Sequence, residues 1–146
     1  MASHMSELIK IIKIQFDHLE QLKLVLENEL HLISSRDPES LINLLKEKEN
    51  LLNLVQAQDE LISSEYQKIS DSDKNKAEIQ GLFTQIKDLV SQCQYRTKIN
   101  QTAVEQGQLR LEHLRNLLLE SRAKESITYD KSGRTQGSNP SKGVSA

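Results

Sequence analysis

Three amphipathic segments follow one another in this chain, and the third is too long for the other two to cover. They run roughly from Ser6 to Ile33, from Glu39 to Ser70 and from Asn75 to Arg122. At about 1.5 Å of rise per residue, the first two reach roughly 40–50 Å and the third roughly 70 Å. Packed side by side, they leave the last turns of the third helix without an internal neighbour. Those turns carry Leu111, Leu114, Leu117, Leu118 and Leu119. An apolar helix end that its own chain does not bury points to the binding of another helix.

The first segment places Leu8, Ile12, Phe16, Leu19, Leu22, Leu26, Leu30 and Ile33 at steps of three and four, which is one helical face. Ile9, Ile11, Ile14, Leu24, Val25 and Leu32 widen that face enough to meet two neighbours. Ser34-Ser-Arg-Asp37-Pro38 then breaks the chain. Asp37 is suited to cap a new helix, Pro38 to its first position, and Glu39 to its positive end. The second segment has a seam of Leu41, Leu45, Lys48, Leu52, Val55, Asp59, Ile62, Tyr66 and Ile69, interrupted at Lys48 and Asp59. A short polar stretch from Ser70 to Lys74 returns the chain antiparallel. The third seam opens with Ile79, Leu82, Phe83, Ile86, Leu89, Val90 and Cys93. It weakens at Arg96, Asn100, Ala103 and Gly107, then recovers at Leu111, Leu114 and Leu118.

The expected fold is therefore all-α: an antiparallel three-helix, coiled-coil-like bundle with a longer third helix. Helices are expected at about 6–34, 38–70 and 75–122 of a domain spanning 5–123. Residues 1–4, Met-Ala-Ser-His ahead of Met5, read as an expression scar outside that fold. Residues 124–146 are rich in Gly, Ser and other polar side chains and are expected to form a disordered tail. Low aromatic content (3 %) with 27 % charged residues suits thin helical packing rather than a thick core.

Charge and composition set aside several classes. A formal charge of −2, with Lys and Arg interleaved among Glu and Asp, supplies no basic stripe for nucleic acid. Charges interrupt the apolar positions too often for membrane insertion. Cys93 is the only cysteine, which fits a cytoplasmic, reducing setting. Asp71, Asp73 and Asn75 begin like a calcium loop, but its sixth and twelfth positions are Lys76 and Leu82, where Gly and a bidentate carboxylate are needed. His18, His31 and His113 are too dispersed to hold a metal. Cys93 has no adjacent base to make it a nucleophile, and Gly81 and Gly107 stand alone in helices. Neither an enzyme nor a cofactor is expected. Gly107 marks close helix approach or local flexibility, at about 1 kcal/mol relative to Ala.

One stripe of the third helix remains: Asn100, Ala103, Val104, Gly107, Leu111, Leu114 and Leu118. It either completes the bundle, against the first helix or a second copy of the chain, or it receives a partner's helix. Periodicity leaves both open. Dimerisation through the stripe would make the chain a coiled-coil structural adaptor, and a homodimer formed when no partner helix is present is compatible with either role.

Three features resemble the FlgN family of flagellar type III export chaperones. They are the run Leu45-Lys-Glu-Lys-Glu-Asn-Leu-Leu52, the stretch Arg96-Thr-Lys-Ile-Asn-Gln-Thr-Ala-Val-Glu105, and Tyr129-Asp-Lys-Ser-Gly133 after the long helix. The family's middle element commonly reads N-x-x-N-G before apolar residues; here Asn100 matches its second Asn, while Thr97 and Gln101 stand in place of the first Asn and the Gly. The resemblance spans almost the whole chain from Met5. It implies an antiparallel helical chaperone for the C-terminal regions of hook–filament junction proteins (FlgK/FlgL-like), which it keeps unpolymerised and delivers to an export gate (FlhA-like). By the same resemblance, Val104, Leu111, Leu114 and Leu118 are subunit contacts, and Tyr129 docks to the gate.

Overall fold

The computed structural model describes residues 2–35 and 37–131, with side chains over 4–35 and 37–124. It is all-helical, and the described residues include no strand. The elements are α1 (Ala2–Ser34), α2 (Pro38–Lys68), the single turn α3 (Asp71–Lys74) and α4 (Ala77–Lys131). The chain divides into two compact units, Met1–Ala103 and Val104–Ala146, and α4 contributes to both.

In the first unit, side-chain bonds fix the direction of each helix. Gln58 Nε2 donates to Ile11 O, Gln15 Nε2 to Val55 O, and Lys48 Nζ to Glu29 Oε2, so α2 runs antiparallel to α1. Cys93 Sγ donates to Leu19 O and Asn100 Nδ2 to Leu26 O, so α4 runs parallel to α1. The wide face of α1 thus serves two neighbours, as its extra apolar residues require.

The core alternates apolar and polar layers along α1. Leu8, Ile11 and Ile12 pack with Ile62 and Ile69 from the α2 side and Ile79 of α4. Next comes a polar layer in which Gln15 Nε2 reaches Val55 O at 2.9 Å and Asp59 Oδ1 at 2.7 Å. Leu22, Val25 and Leu26 then pack with Leu51 and Cys93. Above them the buried Glu29 carboxylate holds Lys48 Nζ at 2.9 Å and Asn100 Nδ2 at 2.6 Å. Each buried aliphatic contributes about 1.5–3 kcal/mol. The polar layers contribute less in net energy, but a register slip would strand their donors and acceptors in a dry interior.

Several boundaries differ from the sequence expectation. Helix α1 begins at Ala2: nothing before Ser6 breaks a helix, and Met5 packs on the first apolar cluster. The polar stretch after Ile69 coils into α3, because Ser70 Oγ accepts the Asp73 N–H at 3.1 Å and so caps the turn. Tyr66 closes this corner edge-on to Phe83, 5.3 Å between ring centroids, with Lys74 Nζ above its face. Helix α4 continues past Arg122 to Lys131, since neither Gly nor Pro occurs in that stretch to stop it. Residues 132–146 of the expected tail lie outside the described residues.

The face of α2 also differs. Its inward residues are Leu44, Lys48, Leu51, Val55, Gln58 and Ile62, a 4-3-4-3-4 spacing. Leu45 and Leu52, expected in the seam, are exposed on its flank. Gln58 occupies a core position because its amide is matched to Ile11 O, and Lys48 is tolerated because it meets Glu29.

Candidate functional site

Helix α4 carries one face from the first unit into the second. Steps of three, four and seven connect Leu89, Cys93 and Asn100 to Gly107, Leu111, Leu114 and Leu118. The side chains along it have different surroundings. Leu89 and Cys93 are buried, and Asn100 is 4 % exposed. Leu111, Leu114 and Leu118 are 68 %, 53 % and 59 % exposed, and Val104, Leu109 and Leu117 are exposed as well.

Asn100 is thus placed apart from the other stripe residues. Its Nδ2 donates to Leu26 O at 3.0 Å and to Glu29 Oε1 at 2.6 Å, so its amide is committed inside the first unit. Its Oδ1 is buried without a partner, a desolvation penalty accepted for the two bonds the Nδ2 makes. Ala103 and Gly107 are half-buried, and the exposed stripe begins at Val104. A Cβ built on Gly107 would meet nothing within 4 Å, so no close approach among the described residues requires glycine there. Tyr129 falls within the backbone of α4, and its side chain lies outside the described residues.

Burial pushes the Cys93 thiol up, with the Glu20 carboxylate adding to the effect, which makes it a poor nucleophile at neutral pH. Asp71 and Asp73 pair with Lys74 and Lys76 at the α3 turn. Among the described residues, no group of three His, Cys, Asp or Glu side chains gathers to hold a metal. No helix among them is long and apolar enough to cross a membrane.

Sequence reasoning missed a second exposed apolar surface. Leu45 and Leu52 of α2 face outward, and Leu52 forms one wall of a groove of about 610 Å³ between α2 and α4. The signal was present in the surplus of leucines on α2, more than one seam can bury.

A helical core interrupted by polar layers, with exposed leucines further along the same helix α4, makes this an all-α helical protein. The chain belongs to the FlgN family: the model of that family, described as FlgN protein, matches residues 1–137. This is a family of flagellar export chaperones. No curated protein and no solved structure matches the chain.

Proposed function

We propose that this chain is a cytoplasmic chaperone for hook–filament junction proteins of the FlgK/FlgL kind. It binds their C-terminal helical regions, keeps them unpolymerised and hands them to an FlhA-like export gate. The observation that carries this reading is the exposure of Leu111, Leu114 and Leu118 in a member of an export-chaperone family. Exposed leucines at helical spacing are what an amphipathic client helix lacks when it is alone, and pairing the two stripes removes both from water. Val104 extends the contact surface, while Ala103 and Gly107 leave room for a client backbone to come close. Asn100 positions α4 on α1 rather than touching the client.

The Leu111→Ala, Leu114→Ala double variant tests the stripe. It should weaken client binding by about 2–4 kcal/mol, roughly 30-fold or more, with unchanged helicity. Titration calorimetry with a purified junction-protein C-terminal segment reads this directly. Unchanged affinity would remove the stripe from the site. A concentration-independent dimer in sedimentation, burying the same leucines, would favour the adaptor role instead.

Tyr129 is the residue proposed to dock to the gate, as a single aromatic anchor near the C-terminal end of α4. Tyr129→Ala should leave client affinity intact and reduce secretion of the junction proteins. Normal secretion would exclude that role.

A further inference from the structure

Burying three exposed leucines does little more than offset the freedom lost on association. A stable complex therefore needs apolar surface beyond the distal stripe, and the first unit has it. Between α2 and α4 lies a groove with Leu19 and Leu22 of α1 at its base. Leu52 and Val55 form one wall, and Val90 and Cys93 the other. Past Asp59 a second hollow of about 370 Å³ extends it between Ile62 and Phe83. The lining residues of α4 run from Gln80 to Gln101, about 30 Å of helix, so the trough suits an extended rod rather than a compact ligand.

Its charges define the rod. Lys87 and Lys98 line the α4 wall about three turns, roughly 16 Å, apart. Among the described residues neither has a carboxylate partner. Asp59 is the one carboxylate in the lining, and its Oδ1 already accepts from Gln15 at 2.7 Å. The occupant that complements this wall is an amphipathic helix with acidic residues about three turns apart beside its apolar stripe. The exposed part of α4 in a second copy does not match: over 104–124, Arg110, Arg115, Arg122 and Lys124 outnumber Glu105, Glu112 and Glu120.

We infer that the α2/α4 groove is a second client subsite, which takes an acid-flanked amphipathic helix of the exported protein. This rests on the chaperone reading above and names a further surface for it. The client is then held at two places, the groove in the first unit and the leucine stripe in the second.

Hydrogen exchange on the full chain, with and without a purified junction-protein C-terminal segment, tests the assignment. The expected result is protection on binding over both 52–59 and 90–98, as well as over 104–118. The Lys87→Glu, Lys98→Glu double variant should bind the segment at least about tenfold more weakly and with a smaller salt dependence, its circular dichroism unchanged. Protection confined to 104–118, with affinity unaffected by the charge reversal, overturns the groove and leaves the chaperone reading standing. Failure of the wild-type chain to bind the segment at all overturns both. Protection of the groove by self-association alone, seen as a dimer in sedimentation without client, overturns the assignment to a client helix.

Discussion

Helix α4 holds two stretches that share a repeat and differ in what surrounds it. From Ile79 to Asn100 the repeat is built of mixed residues, including a thiol and an amide, and these are buried against α1. From Leu111 to Leu118 it is built of leucine, the more hydrophobic choice, and these side chains are exposed. Hydrophobicity of a helical stripe therefore does not rank its burial here. What distinguishes the inner stretch is matching: Asn100 has Leu26 O and Glu29, and Cys93 has Leu19 O. The leucines of the outer stretch have no such match and present apolar surface to solvent.

The sharpest way to break that contrast is to truncate one leucine in each region. Leu26, 1 % exposed, packs with Leu51 and Cys93. Leu26→Ala should destabilise the chain by about 2–5 kcal/mol in urea unfolding, because the cavity it leaves is lined on three helices. Leu114→Ala should change stability by no more than about 0.5 kcal/mol. Comparable losses in the two variants would mean that the outer stripe is covered in solution, and the contrast would fail.

A smaller effect isolates the polar layer that only the inner stretch possesses. Lys48→Met keeps the aliphatic stem but removes the ammonium from Glu29, whose side chain is 6 % exposed. A buried carboxylate left with the Asn100 amide alone should cost about 1–3 kcal/mol. The lysine itself is a quarter exposed, so the loss should fall short of that for a fully buried pair. A neutral result in thermal unfolding would mean that water replaces the lysine, and that the layer directs packing without stabilising it.

This layer is also where the sequence was least legible. The apolar seams of α1 and α4 could be read because Leu8, Ile12, Ile79 and Cys93 recur at helical steps within a short window. The partners that Gln15, Gln58, Glu29 and Asn100 meet on other helices lie 19 to 74 residues away, beyond any local pattern. A lysine or glutamine in a seam reads as an interruption until its partner is known. So the local pattern of α2 points to the face bearing Leu45 and Leu52, whereas its inward face is rotated toward Gln58. Asn100 falls in the same periodic stripe as the exposed leucines for a related reason: one continuous stripe gives no mark of where internal packing ends and the exposed part begins. The exposed leucines, by contrast, followed from length alone.

The smallest expected effect concerns acid, and it too belongs to the first unit. The Ser40 hydroxyl and then its backbone N–H hold the Asp37 carboxyl below the usual range, at the cap of α2. A hydrogen bond from Lys68 does the same for Glu65, and one from Lys76 for Asp73. With folded values below the unfolded ones, the unfolded chain binds more protons in the window between them. Stability from these groups is fully present above the unfolded value, about pH 4, and is lost as pH falls through the folded values. Asp37→Asn keeps a competent cap without a titrating group. Its melting temperature near neutrality should change little, while its decline between about pH 5 and about pH 2 should be shallower than that of the parent chain. An identical acid profile would show that the cap does not report on the α1–α2 core and that the acid response arises elsewhere.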